Sequence, residues 1–307
     1  MEPRPRFVIE AAEAEFMAKQ SGQTVLQLLP SLVKPAQRLA RPPISQFNVG
    51  AVGHGSSGRI FFGVNVEFPG LPLHHSIHAE QFLVTNLSLH SEPHLDSFAV
   101  SSAPCGHCRQ FLQELRGAPA IKILITEPDG GCRSDFEPLL SLLPHRFGPD
   151  DLLSRDVPLL LEPHDNRLEF PIEAGGGLCN GGGENGFIED ELKRVALEAA
   201  NASHAPYTKC PSGVAIRDCD GRVYRGSYAE SAAYNPSLGP VQAALVAYIA
   251  SGCEGGGYER IVAAVLVEKE GAMIRQEETA RLLLRSISPR CEFRAFHCVS
   301  GCKKGCC

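Results

Sequence analysis

Tryptophan is absent from this chain of 307 residues, and aromatic residues make up only 7% of it. Also missing is any apolar run near the ~20 residues that cross a bilayer. The longest, Val157–Leu161 and Ile261–Val267, have the length of buried strands. There is no basic excess either: 29 Lys and Arg face 35 Asp and Glu, a formal net charge of −6. Polynucleotides are held largely by neutralising their phosphates. A mildly acidic chain with no Arg-rich stripe and no Trp is therefore a poor binder of RNA or DNA. Met1 to Phe16 is rich in Pro, Arg and Glu and lacks the apolar core of a secretory signal, so the expected location is the cytosol. Twelve cysteines fall well short of the roughly 8–10% of a small disulfide scaffold. In a reducing compartment they read as thiols, ligands or catalysts. With 43% hydrophobic and 21% charged residues, the composition is that of a soluble globular protein, and the length suits two domains at roughly 100–200 residues each.

The apolar period predicts helices over Phe7 to Gln20 and Val25 to Leu39, ended by Arg41-Pro42-Pro43 because proline cannot continue a helix. Residues 1–42 thus form a short N-terminal helical segment. Ile44 to Val52 and Arg59 to Phe68 read as strands joined by the turn cluster His54-Gly55-Ser56-Ser57-Gly58, which makes a hairpin. Helices follow at His78 to Leu89 and Cys105 to Leu115, with strands at Phe98 to Ser101 and Ala120 to Thr126. This alternation implies a layered α/β domain over 43–172. Residues 173–186, with two Gly-Gly-Gly runs, read as a flexible linker. A second domain then spans 187–307.

The second half repeats the first. A shift of 163 residues places Pro43 on Pro206, Gly50 on Gly213, Gly58 on Gly221, Arg59 on Arg222, Gly63 on Gly226 and Glu67 on Glu230 without a gap. Similarity at domain length indicates two copies of one fold, since solenoid periods are about 20–50 residues.

The chemistry-bearing residues are His78-Ala79-Glu80 and Pro104-Cys105-Gly106-His107-Cys108. A catalytic zinc keeps three protein ligands and an open position, and His78, Cys105 and Cys108 make three. Both cysteines fall at a predicted helix N-terminus, where unpaired N–H groups favour thiolates. Glu80 sits two residues from the His, able to reach a metal-bound water without being a ligand. His107, between the two cysteines, reads as a bystander. Taken alone, Cys-x-x-Cys also fits a redox pair or half a structural zinc knuckle.

The combined H-x-E…P-C-x-x-C pattern is that of zinc nucleobase and nucleoside deaminases. The sequence resembles the cytidine deaminases, in the branch with a fused second domain that forms homodimers. The resemblance rests on Phe47-Asn48-Val49-Gly50-Ala51, Gly63-Val64-Asn65-Val66-Glu67-Phe68, His78-Ala79-Glu80-Gln81, Pro104-Cys105-Gly106-His107-Cys108-Arg109-Gln110-Phe111, Phe147-Gly148-Pro149 and Tyr228 to Pro236. It implies a three-layer α/β/α cytidine-deaminase-like fold, duplicated. It also implies one zinc per subunit on His78, Cys105 and Cys108, and hydrolytic deamination of cytidine and 2′-deoxycytidine in pyrimidine salvage. In that chemistry a zinc hydroxide attacks C4 and Glu80 is the proton shuttle. The resemblance further places Asn65 and Glu67 on the ribose with Val66 between them, Phe47 on the pyrimidine face, and Ala79 N–H and Ala103 C=O on the base. Phe47 on a strand also fits a core position, and Asn65 with Glu67 a solvated face. A carboxylate at Glu67 disfavours phosphate there, so nucleotides are expected to be poor substrates.

In the second copy the position of His78 becomes Gly239 and that of Glu80 becomes Val241, while Gln81 keeps Gln242. The region read as matching the Cys motif, Ala264 to Glu268, has no cysteine. The second domain is therefore expected to be degenerate and non-catalytic, closing the partner subunit's site, with Tyr234 lining it. Cys298, Cys302, Cys306 and Cys307 near Lys303 and Lys304 read as a frayed tail of thiols. A deaminase of another base or of nucleotides, a silent zinc-bearing scaffold and an RNA-editing protein remain the competing readings.

Overall fold

The computed structural model describes residues 6–126, 135–171, 184–252 and 257–301, without the side chains of 184–187. The chain divides into two compact units, Met1–Glu162 with Glu230–Ser237 and Val246–Glu254, and Pro163–Ala229 with Leu238–Leu245 and Gly255–Cys307. Most of the expected linker and Cys302, Cys306 and Cys307 lie outside the described residues.

In the first unit the chain runs β1 (Val8–Ile9), α1 (Ala11–Ser21), α2 (Val25–Gln37), β2 (Gly50–Gly55), β3 (Ile60–Val64), α3 (Ala79–Leu89), β4 (Leu95–Val100), α4 (Gly106–Phe111), β5 (Lys122–Ile125), β6 (Glu137–Pro138) and the one-turn α5 (Pro149–Leu152). The strands form one sheet in the order β1-β3-β2-β4-β5-β6. Thr24 opens α2 by a reciprocal cap: Gln27 N–H donates to Thr24 Oγ1 at 3.3 Å and Thr24 N–H to Gln27 Oε1 at 2.9 Å. Its buried stripe, Leu28, Leu29, Val33 and Ala36, lies against one face of the sheet, and α3 lies against the other. Two glycines permit this. A Cβ on Gly50 would stand 2.6 Å from Gln37 N in α2, and one on Gly63 would stand 2.2 Å from Ala79 O in α3. Gly63 pairs with Ala51, the neighbour of Gly50 on β2, so the two glycines face opposite sides of the pleat.

The second unit runs β7 (Leu168–Glu169), α6 (Glu184–Asn201), β8 (Ser212–Asp218), β9 (Val223–Ser227), α7 (Pro240–Ala250), β10 (Ile261–Lys269), α8 (Glu277–Ile287) and β11 (Glu292–Ser300), with α7 ending in the first unit. Its sheet order, β7-β11-β10-β8-β9, is that of β6-β5-β4-β2-β3. The duplication extends to atoms. Gly213 meets Ala200 N at 2.2 Å where Gly50 meets Gln37 N, and Gly226 meets Pro240 O at 2.2 Å where Gly63 meets Ala79 O. The single bridges Arg41↔Val66 and Val66↔Ile77 recur as His204↔Ala229 and Ala229↔Leu238. Thus α2, placed by sequence in a separate N-terminal segment, is the counterpart of α6.

Several boundaries move. The first strand begins at Gly50 rather than Ile44, because Ile44 and Ser45 donate their N–H groups to the Glu67 carboxylate and Gln46 adopts a left-handed φ of 55°. The second strand ends at Val64, and 65–67 continue as extended chain. Phe7 to Ile9 is no helix: Val8 and Ile9 pair with β3. The helix from Cys105 tightens to a 3₁₀ turn at Leu112–Glu114. Val157–Leu161 forms no strand, only a lone bridge at Leu160. Ala264–Glu268 matches residues 98–102, since Leu266 pairs with Val214 as Val100 pairs with Ala51. The true counterpart of the Cys motif is the turn before α8, residues 270–276, which also lacks cysteine.

The β2–β3 turn is held by Glu92, whose side chain is wholly buried. It accepts from Ser56 Oγ, Ser57 N–H and Oγ, and the Arg59 guanidinium at 2.9 Å. Among the described residues no helix is long and apolar enough to cross a membrane. The described cysteines, Cys105, Cys108, Cys210, Cys219, Cys291 and Cys298, are free thiols.

Candidate active site

Two helix starts in the first unit bring the expected ligands together. His78 is the N-cap of α3, and Cys105 is the N-cap of α4 with Cys108 in its first turn. His78 Nδ1 lies 3.4 Å from Cys105 Sγ and 3.2 Å from Cys108 Sγ, and the two sulfurs are 3.7 Å apart. Tetrahedral zinc with Zn–S near 2.3 Å and Zn–N near 2.0–2.1 Å separates two sulfurs by about 3.8 Å and sulfur from nitrogen by about 3.5 Å. The three donors fit that ion within a few tenths of an ångström. The Cys108 thiol, donating to Cys105, holds Cys105 down at about 4, with burial opposing. The same hydrogen bond, together with burial, pushes Cys108 up. The lowering at Cys105 favours the thiolate, which is the ligand form zinc requires.

Glu80, the second residue of α3, is buried beside Cys108. Burial drives its carboxyl above the usual carboxylate range, against a hydrogen bond from Cys108 and the pull of His78. Burial thus favours the protonated acid here more than it would for a solvated carboxyl. His107 joins the same group of potential ligands. Its Nε2 lies 3.2 Å from Asn235 O, and its ring sits 5.2 Å from that of His78.

Asn65 and Glu67 follow β3 and knit residues 44–49. Asn65 Oδ1 accepts from Val49 N–H and its Nδ2 donates to Phe47 O, each at 2.9 Å. Glu67 accepts from Ile44 N–H, Ser45 N–H and Ser45 Oγ. Burial opposes its charge, but these donors hold its carboxyl below the usual range. Its carboxylate has about four acceptor positions, of which three are filled. Phe47 is 59% exposed on the loop so held, so it is not a core residue. Val66 lies between Asn65 and Glu67 with its side chain fully buried, and its N–H and C=O both pair with Ile77. Ala79 opens α3, where N–H groups lack intrahelical acceptors. Ala103 lies exposed in the loop before Cys105.

Residues 230–237 pack within this first unit. Gln81 Nε2 donates to Pro236 O at 3.0 Å while its Oε1 accepts from the His78 N–H, and Ala232 N–H donates to Glu114 at 2.7 Å. Tyr234, between these anchors, is 63% exposed with a φ of 61°. Gln81 and Arg109 were not expected as site residues. Arg109 ties the ligand loop by donating to Pro104 O at 2.7 Å and Leu142 O at 2.9 Å. The capping pattern His-x-x-Gln signals Gln81, whereas no local signal could place Asn235 against His107.

Two family models, both described as the cytidine and deoxycytidylate deaminase zinc-binding region, match residues 23–124 and 139–281. Cytidine deaminase 1 of Arabidopsis thaliana is 67% identical over 302 residues, spanning 96% of this chain and 98% of that protein. Cytidine deaminase 6 of the same plant is 54% identical, spanning 88% and 91%. Cytidine deaminase of Serratia proteamaculans (strain 568) is 38% identical, spanning 91% and 86%. With the duplicated fold and a His/Cys cluster beside a buried carboxylic acid, these likenesses place the chain in the zinc-binding cytidine deaminase family.

Proposed function

We propose that this enzyme hydrolyses free cytidine and 2′-deoxycytidine to uridine and 2′-deoxyuridine, releasing ammonia, in pyrimidine salvage in the cytosol. Water adds at C4, the C4–N4 bond breaks, and the amino group leaves with the proton it needs. Zinc held by His78, Cys105 and Cys108 supplies acidity, lowering the pKa of water to about 7 in favourable sites. Glu80 takes the proton of the attacking water, passes it to N3, and later moves one to the leaving amine. The observation that carries this reading is its position: buried, raised, and touching a ligand cysteine without being one of the three donors.

The remaining groups bind and orient. Glu67 keeps one acceptor position and Asn65 one N–H for ribose hydroxyls. Phe47, exposed on the loop those residues hold, covers the pyrimidine face. Ala79 N–H and Ala103 C=O receive O2 and the amino group. A phosphate beside the charged Glu67 is repelled, so nucleotides are poor substrates. The enzyme is a homodimer in which the degenerate domain closes the partner's site, and exposed Tyr234 belongs to that closure.

The test is ultraviolet-monitored conversion of cytidine by wild type and Glu80→Gln, with zinc measured on both. Stoichiometric zinc in each is expected, with turnover falling by roughly 10²–10⁴-fold in the variant. Wild-type turnover by a zinc-loaded Glu80→Gln would overturn the proton-shuttle role. Sedimentation of wild type and Tyr234→Ala checks the dimer. A monomeric variant with full activity would remove the cross-subunit role.

A further inference from the structure

The second unit lost the His and Cys ligands but carries another set of metal-ligating side chains. Glu268 stands one residue from the end of β10, and His297 lies directly across from it on the parallel strand β11. Glu277 is the first residue of α8, the helix that follows β10. A donor atom from each of the three lies within 4.8 Å of the other two. All sit at the carboxyl end of the parallel strands, where open α/β sheets take their ligands. The first unit holds Cys105 at the corresponding place, the start of the helix after β4. Residue 102, the counterpart of Glu268, is a serine, so this group is peculiar to the second copy.

Glu268 is the informative member. Its side chain is 2% exposed. Oε2 accepts from Gln276 N–H at 2.8 Å, but Oε1 has no hydrogen-bond partner. A buried carboxylate oxygen without a partner is costly. That oxygen points at His297 Nε2, 3.6 Å away. This is too long for a hydrogen bond, yet two donors sharing a divalent ion at ~2.1 Å stand about 3–4 Å apart. Glu277 is 26% exposed, and Arg281 donates to its Oε1 at 2.7 Å. That contact orients the carboxylate while its other oxygen stays available. His297 is 40% exposed, which leaves the group an entry path.

We propose that Glu268, Glu277 and His297 form a second metal site, binding one divalent first-row ion through two carboxylates and one imidazole. The ion supplies the partner that Glu268 Oε1 lacks and ties β10, β11 and α8 together at one end of the degenerate sheet. Its role is structural: among the described residues the group holds only its two carboxylates and one imidazole, with no further acid assigned as Glu80 is at the first site. The oxygen-rich set accepts Mn²⁺, whereas the thiolates of the first site select zinc, so Mn²⁺ is the discriminating probe.

The zinc-loaded full chain is titrated with Mn²⁺ and the free aqua ion followed by electron paramagnetic resonance. One Mn²⁺ per chain is expected beyond the zinc. His297→Ala and Glu277→Gln, both partly exposed positions, should each weaken it roughly tenfold or more, with zinc content and cytidine turnover unchanged. Mn²⁺ should also raise the Tm of wild type but not of either variant. Absence of saturable Mn²⁺ binding overturns the proposal and leaves Glu268 and His297 a simple ion pair. Equal binding by wild type and both variants overturns it as well, by placing the ion elsewhere. Because zinc and turnover are read in the same samples, failure of this site is distinct from failure of the catalytic one.

Discussion

Gly63→Ala tests whether α3 is held in place by the close approach of β3. The new methyl would lie 2.2 Å from Ala79 O and 2.6 Å from Leu83 N. An ordinary contact is at least 3.4 Å, so helix and strand must part by roughly 1 Å to restore normal van der Waals spacing. Overpacking of this kind costs about 1–3 kcal/mol, which lowers Tm by roughly 3–10 °C in a domain of this size. The same displacement acts on chemistry, because α3 carries His78 at its N-cap and Glu80 two residues further on, within the first turn. A misplacement of about 1 Å at reacting groups costs on the order of 10²-fold in rate. Gly226→Ala is the matched control: its methyl meets Ala244 N at 2.1 Å and Pro240 O at 2.2 Å, the same collision in the copy that has no catalytic ligands. Differential scanning calorimetry, zinc analysis and cytidine turnover are measured on both. Comparable Tm losses are expected, with turnover and zinc affinity falling only in Gly63→Ala. If Gly63→Ala kept wild-type turnover and zinc while losing stability as its counterpart does, the claim that this contact positions the ligands would be refuted.

Three further outcomes follow from the same geometry. Cys105→Ser removes one thiolate, so zinc content and turnover should fall together; a chelator should abolish wild-type turnover and added zinc restore it. Glu67→Gln loses the charge that holds Ser45 and Ile44, and steady-state kinetics should show KM for cytidine rising about tenfold with kcat nearly constant, matching a loss of ~1.4 kcal/mol of binding. Glu92 is opposed by burial but held below the usual carboxylate range by donors from Ser57 and Arg59. Its charged form therefore stabilises the fold above the unfolded carboxylate range, and that stability is lost as pH falls through the lowered folded value. Glu92→Gln should cost about 1.5–3 kcal/mol at pH 7, and the Tm gap to wild type should close below about pH 4; a gap independent of pH would exclude an electrostatic origin.

The convergence of His78, Glu80, Cys105 and Cys108 was legible because their geometry is local. His-x-Glu at one helix start and Cys-x-x-Cys at another set the side-chain directions within a few residues, and a helix N-terminus favours thiolate wherever it lies. The repeat was legible for a related reason. A backbone that must pass within van der Waals contact of a helix admits only glycine, so Gly50, Gly63, Gly213 and Gly226 marked both copies. The loop at Ile44 was misread as strand because its backbone N–H groups are satisfied by a carboxylate 22 residues onward, a partner that apolar alternation does not encode. The burial of Val66 was hidden for the converse reason: alternation puts it opposite Asn65 and Glu67, but only packing shows that this opposite side is core.

The chain's local motifs, with the family resemblance they carry, were thus enough to point to zinc, to the cluster of His78, Glu80, Cys105 and Cys108, to the duplication and to the loss of those residues in the second copy. Tertiary structure alone decided that α2 belongs to the repeated fold, that Asn65 and Glu67 hold the Phe47 loop, that Pro236 meets Gln81 across 155 residues, and that Glu268, Glu277 and His297 converge. Each of these depends on which distant segments share a face or an end of the sheet. That is settled when the whole chain closes and its buried polar groups must find partners, and no short window of sequence contains it.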